Sequence, residues 1–134
     1  MLAAIGQGRI PVEESQALNE RMYGDLQRLN TNETVKKYGA QQVEVWRCSY
    51  EVRPPGGESR QDTAARVLPY YEERIKPALD QGATVLIVGH GNSLRALVIH
   101  LEHLSPQQIV HLSIPTGALL VYGIDDKGEL VLVR

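Results

Sequence analysis

Two clusters in this sequence have residue types and spacing suited to chemistry. In the first, the apolar run Val85-Leu86-Ile87-Val88 leads into Gly89-His90-Gly91-Asn92. Ser93 to His103 then carries Leu94, Leu97, Val98 and Leu101 at helical spacing. A strand that ends on a glycine-flanked histidine and turns at once into a helix makes an anion site. Ligands of open α/β sheets bind at the carboxyl ends of strands. The first helical turn offers free N–H groups and the positive end of the dipole. Flanking glycines let an oxyanion approach the backbone, and a protonated His90 adds charge and a donor. The plainer reading of the same turn is a histidine bonded to a neighbouring carbonyl.

The second cluster is Leu18-Asn19-Glu20-Arg21-Met22-Tyr23-Gly24. It brings a carboxyl group, a guanidinium and a phenol into four residues. Glu20 has the chemistry of a general acid, and Arg21 and Tyr23 that of a grip on phosphate or carboxylate. The plainer reading is an Arg–Glu pair on a solvated loop. Arg47 lies on the polar side of the helix that holds Trp46. Arg95 falls in the first turn of its helix, an unfavourable place for a cation, which points to a specific partner. His100 and His103 read as capping or exposed residues, and Pro115-Thr116-Gly117 reads equally as a simple turn or as a segment that brings Thr116 near the site.

The elements that must position these residues follow from periodicity and caps. Met1 to Gly8 reads as the end of a helix that no capping residue precedes. Ile10 to Leu18 is expected as a strand. Glu20 to Leu29 has Met22, Leu26 and Leu29 near helical spacing, with Gly24 favouring short turns. Thr31 to Tyr38 is a helix ended by Gly39, and Ala40 to Tyr50 a second one with Val43, Trp46 and Tyr50 on one face. Arg53-Pro54-Pro55-Gly56-Gly57-Glu58 cannot be regular. Ser59, with Asp62 three residues on, caps a long helix from Arg60 to Asp80. Pro69 and Pro77 should bend or unwind it. Ala83 to Val88 is the clearest strand, and its near-continuous apolar character predicts burial on both faces inside a helix-covered sheet. Ser105-Pro106-Gln107-Gln108 starts another helix. A hairpin, Ala118–Ile124 and Glu129–Val133, turns at Asp125-Asp126-Lys127-Gly128. The class is α/β, with helices on a mixed sheet.

Composition narrows the function classes. The 134 residues, 43% hydrophobic and 22% charged, suit one globular domain and exclude collagen-like and disordered chains. Fourteen basic against 16 acidic residues, net −2, leave no nucleic-acid footprint. No apolar run is long enough to span a bilayer, and no secretory signal is visible. A single cysteine, Cys48, forms no internal disulfide, and no cluster suggests a metal. A reducing, cytoplasmic setting is the expectation.

Both clusters together resemble the 2,3-bisphosphoglycerate-dependent phosphoglycerate mutases. Leu18 to Gln27 and Gly89 to Leu97 carry most of the likeness, and Tyr38-Gly39, Trp46-Arg47 and Ile114-Pro115-Thr116-Gly117 extend it from about Ile5 to about Asp125. The resemblance implies a three-layer helix/sheet/helix fold and phosphoryl transfer through a phosphohistidine. It implies Glu20 as the acid–base residue and His90 as the histidine that stabilises the transferring phosphoryl group. Arg21, Met22, Tyr23, Arg47, Gly91 and Asn92 match substrate-lining positions. The resemblance further implies a bisphosphoglycerate primer, no metal, a small phosphorylated glycerate as substrate, and leaves self-association open.

Some positions depart from the pattern. The family's nucleophile sits in an Arg-His-Gly motif, and no such triplet occurs here. All four histidines, His90, His100, His103 and His111, lie in the second half. Residues 1–134 therefore read as the C-terminal part of one mutase-like domain, without the N-terminal strands and the nucleophile, and inactive alone. Thr31 and Cys48 stand where many members carry cations. A related phosphomonoesterase and a non-enzymatic anion-binding remnant are the alternatives.

Overall fold

The computed structural model describes residues 2–134, so Met1, where the first expected helix end begins, lies outside the described residues. Leu2–Ile5 forms a short 3-10 turn, followed by Gly6 at φ +71°. The segment after it is a correction. Residues 10–15 form no strand, and Ser15 caps a 3-10 turn, Gln16–Leu18. The apolar alternation there is too weak to bury one face, and most of these residues are exposed.

The helices follow their caps. α1 (Thr31–Tyr38) starts on Asn30, which exchanges hydrogen bonds with Glu33, and it ends at Gly39, φ +84°. α2 (Ala40–Cys48) buries Val43 and Trp46, and Trp46 packs edge-on against Tyr38 at 5.1 Å. α3 (Arg60–Tyr70) opens on Ser59, whose hydroxyl accepts from the Asp62 N–H while Asp62 accepts from the Ser59 N–H. Two residues after Pro69 the helix widens into a π turn over Tyr71–Ile75. It then closes as α4 (Lys76–Asp80), which has Pro77 in its first turn. The expected long helix is thus present with its local unwinding. α5 (Gly91–Leu101) has His90 at its N-cap. Ser105 and Gln108 form the capping box of α6 (Pro106–His111).

The core lies where α3 and the π turn meet α5. Ala64, Val67, Tyr71, Ile75, Ala96 and Leu97 are buried together there. Burial of this apolar surface contributes about 25 cal/mol per Å². The hairpin is shorter than its sequence pattern, β1 (Tyr122–Ile124) pairing antiparallel with β2 (Leu130–Leu132) in the register Tyr122↔Leu132. Asp125 Oδ1 accepts from the Lys127 and Glu129 N–H groups in its turn. The Tyr122 hydroxyl donates to Glu102 Oε1 at 2.6 Å, tying the hairpin to the end of α5. Burial and that carboxylate push the Tyr122 phenol well above its ordinary value.

Ala83–Val88 is the second correction. The segment is extended, but no strand of the described residues pairs with it. Exposure alternates along it. Val85 and Ile87 pack against the helical core, whereas Leu86 and Val88 are 53% and 59% exposed. Burial on both faces requires neighbours on both edges, and the two-stranded hairpin is the whole sheet among the described residues. The α/β class stands, in a helix-rich form with a small antiparallel sheet in place of the mixed one.

Candidate functional site

The two chemical clusters meet. Glu20 Oε1 accepts hydrogen bonds from the N–H of Arg21 at 2.8 Å and from the N–H of Asn92 at 3.3 Å. The second donor belongs to the first turn of α5, where N–H groups have no partner within the helix. A carboxyl group at this end is favoured by the dipole. Asn92 also donates through Nδ2 to the Tyr23 hydroxyl at 3.0 Å. Ser93 is fully buried, and its hydroxyl lies 3.0 Å from the carbonyls of both Leu18 and His90, pinning the helix start to the Glu20 loop. The His90 backbone is extended, φ −91° and ψ 163°, and its ring is exposed beside the helix end.

A half-buried clasp holds the Glu20 loop. The Arg66 guanidinium donates to the carbonyls of Ala17 (2.6 Å), Asn19 (3.0 Å) and Glu20 (3.1 Å) and to both carboxylate oxygens of Glu58. Glu58 Oε2 also accepts from the Met22 N–H, and the Glu58 N–H donates to the Met22 carbonyl at 2.7 Å. The Arg66 hydrogen bonds, helped by the Met22 N–H, hold the Glu58 carboxyl below its ordinary value although partial burial opposes this. The Asp25 N–H donates to the Pro55 carbonyl, so the loops 20–26 and 54–58 lie side by side. Gly57 permits this closeness, since a Cβ there would come within 2.7 Å of the Met22 carbonyl oxygen.

Arg21 is 1% exposed. Its Nε donates to the Glu58 carbonyl at 2.7 Å and its NH2 group to the Trp46 carbonyl at 2.8 Å. Its guanidinium carbon stands 5.0 Å from the centre of the Tyr23 ring. Burial pushes its guanidinium below the ordinary value, the Tyr23 phenol opposes this, and the Arg60 cation adds to the lowering. One nitrogen, NH1, is buried with no hydrogen-bond partner among the described residues.

The structure therefore joins Glu20, Tyr23 and Asn92, with His90 and Gly91 at the same helix end and Arg21 beneath. Met22 belongs through its backbone, while its side chain is 52% exposed. Arg47 is exposed, and its carbonyl accepts from Arg60 at 2.7 Å. Arg95 has no anionic partner among the described residues and lies 3.5 Å from Asn92 Oδ1. His100 faces Glu72 at 3.3 Å and the Tyr71 ring edge-on. Sequence reasoning missed Arg66 and Glu58, whose partners lie up to 50 residues away; the one available signal was a carboxylate in the irregular loop ahead of a basic helix face. Among the described residues no group of His, Cys, Asp and Glu converges as a metal site, and no helix is long and apolar enough to cross a membrane.

A family model described as histidine phosphatase superfamily (branch 1) matches residues 1–134. The chain belongs to this superfamily. Among its relatives, a 2,3-bisphosphoglycerate-dependent phosphoglycerate mutase of Parvibaculum lavamentivorans is 53% identical, with 98% of this chain and 62% of the relative aligned. A protein of the same name from Cytophaga hutchinsonii is 56% identical over 90% of this chain and 57% of its own length. The chain thus spans about 60% of the length of these curated relatives. A solved mycobacterial glucosyl-3-phosphoglycerate phosphatase, in complex with inorganic phosphate, superimposes with a TM-score of 0.75 at 25% identity, covering 98% of this chain and 69% of that one.

Proposed function

We propose that this chain supplies the acid–base and phosphate-gripping part of a 2,3-bisphosphoglycerate-dependent phosphoglycerate mutase, residues 1–134 being the C-terminal part of that domain. The observation that carries the reading is the contact of Glu20 Oε1 with the Asn92 N–H, which sets a carboxyl group against the helix end that follows His90. The names of relatives more than half identical to the chain support it.

In this reading a phosphoryl group of the glycerate lies against His90 and the first turn of α5. Donors aimed at the transferring group stabilise its charge during transfer. Glu20 moves the hydroxyl proton. Oε1 is fixed by two N–H groups, and Oε2, with no hydrogen bond among the described residues, takes the proton from the attacking hydroxyl or returns it to the leaving oxygen. Arg47, Tyr23, Asn92 and the unpartnered NH1 of Arg21 hold the rest of the anion. The same cationic and helix-end donors suit one phosphate of a bisphosphoglycerate, which when bound supplies the phosphoryl group that primes the nucleophile. The family resemblance assigns that nucleophile to an Arg-His-Gly histidine, a triplet these 134 residues do not contain.

The chain alone is therefore expected to form no 2-phosphoglycerate from 3-phosphoglycerate and 2,3-bisphosphoglycerate. Joined behind the Arg-His-Gly-bearing segment of a relative it should turn over, and Glu20→Gln in that fusion should lower the rate about 100-fold or more. Turnover by the chain alone, or a fusion indifferent to Glu20→Gln, overturns the assignment. A phosphomonoesterase reading is favoured by Thr31 and Cys48 standing in place of cations. It predicts inorganic phosphate as the fusion's product.

A further inference from the structure

We propose that the cleft between α3 and α5 binds a small carboxylate with an apolar body. The cleft has a volume of about 170 Å³ and a floor of Ala64, Leu68, Ala96, Ile99 and Ile109. Arg60 and Arg95 line it as well, together with Tyr50 and Asn92. The Nε atoms of both arginines are buried with no hydrogen-bond partner among the described residues. Arg60 otherwise donates to the Arg47 carbonyl, and Arg95 reaches only Asn92 Oδ1, at 3.5 Å. Neither pairs with a carboxylate among the described residues. His100, also at the cleft, has its own partner in Glu72.

Two guanidinium groups with orphaned buried donors thus share one cleft with an apolar floor. A buried donor without an acceptor is costly, and a planar oxyanion is the acceptor a guanidinium fits best. Bare phosphate would satisfy the arginines and leave the floor wet. A neutral hydrocarbon would cover the floor and leave both donors unmet. A carboxylate on an aromatic or short aliphatic body does both, and the volume is close to the ~150 Å³ known to accommodate a benzene ring. Asn92 borders both sites, but Arg60 and Arg95 are given no part in the phosphoryl chemistry proposed above, so arginine substitutions at the cleft test this reading apart from that one.

Benzoate is the probe, titrated into the 134-residue chain while the methyl resonances of Ala64, Leu68, Ala96 and Ile99 are followed by NMR. Benzoate should shift them saturably, and benzamide, its neutral analogue, should bind about tenfold more weakly or less tightly still. Inorganic phosphate should leave these methyls unmoved. Arg60→Met and Arg95→Met should each weaken benzoate by a similar factor, with Arg95→Lys intermediate. Absence of a saturable shift in a sample whose circular dichroism is helical overturns the proposal. So does benzamide or phosphate shifting these same methyls as tightly as benzoate does. Those comparisons use the parent chain alone and hold even if a variant fails to fold.

Discussion

The α3–α5 contact and the extended segment Ala83–Val88 are built from the same kinds of residue, yet they end in opposite conditions. Val67 and Leu97 are 0% and 3% exposed, whereas Leu86 and Val88 remain more than half exposed. A helix satisfies its own backbone and needs a neighbour for one stripe only. A strand needs neighbours for its edges as well as its faces, and unpaired N–H and C=O groups along an edge invite another chain. The residues that flank the candidate site on its two sides thus differ in what they demand. The helix after His90 is seated on α3, while the segment before His90 is seated along one face only.

The sharpest test of this contrast is a matched pair. Leu97→Ala should destabilise the chain by about 3 kcal/mol, as core leucines do, while Leu86→Ala should change stability by less than about 0.5 kcal/mol. Urea unfolding followed by circular dichroism measures both, and equal losses would mean that Ala83–Val88 is packed after all. Next in size is the clasp. Arg66→Met removes the charged partner of Glu58 and the contacts with the carbonyls of Gln16, Ala17, Asn19 and Glu20, and should cost about 2 kcal/mol. Retained stability would show the Glu20 loop to be held by its neighbours in sequence instead.

The smallest effect is a pH dependence. Because the Glu58 carboxyl lies below its ordinary value in the folded chain, its contribution is complete above the unfolded-state pKa and lost as pH falls through the lower folded value. Unfolding free energies measured from about pH 6 to 3 should therefore fall more steeply for the parent than for Glu58→Gln. Parallel curves would remove Glu58 from the clasp.

What could be read from the sequence was what is decided within a few residues. Ser59 with Asp62 and Ser105 with Gln108 are reciprocal caps, and each marks a real helix start. The turn at His90 and the carboxyl at Glu20 were visible as residue types. Their meeting was not, because Glu20 and Asn92 are 72 positions apart. Ala83–Val88 misled for the complementary reason. An apolar run reports what a strand would bury, and the covering must come from elsewhere. Ile10–Leu18 failed more simply, since Ser15 binds its own backbone and bends the segment into a turn.

The π turn after Pro69 bears on the angular phase of the whole helix. Val67, Tyr71 and Ile75 are all buried, at a strict spacing of four. On an ordinary α-helix each such step overshoots a full turn by about 40°, so three residues spread over about 80° of the cylinder. One wider turn, in which the Lys76 N–H reaches back to the Tyr71 carbonyl, takes up that drift. The break works as a vernier, resetting the helix so that Ile75 comes round to the side where Val67 began. The reset lies between Pro69 and Pro77, and beyond it Ile75 shares one core with Ala96 and Leu97 of α5.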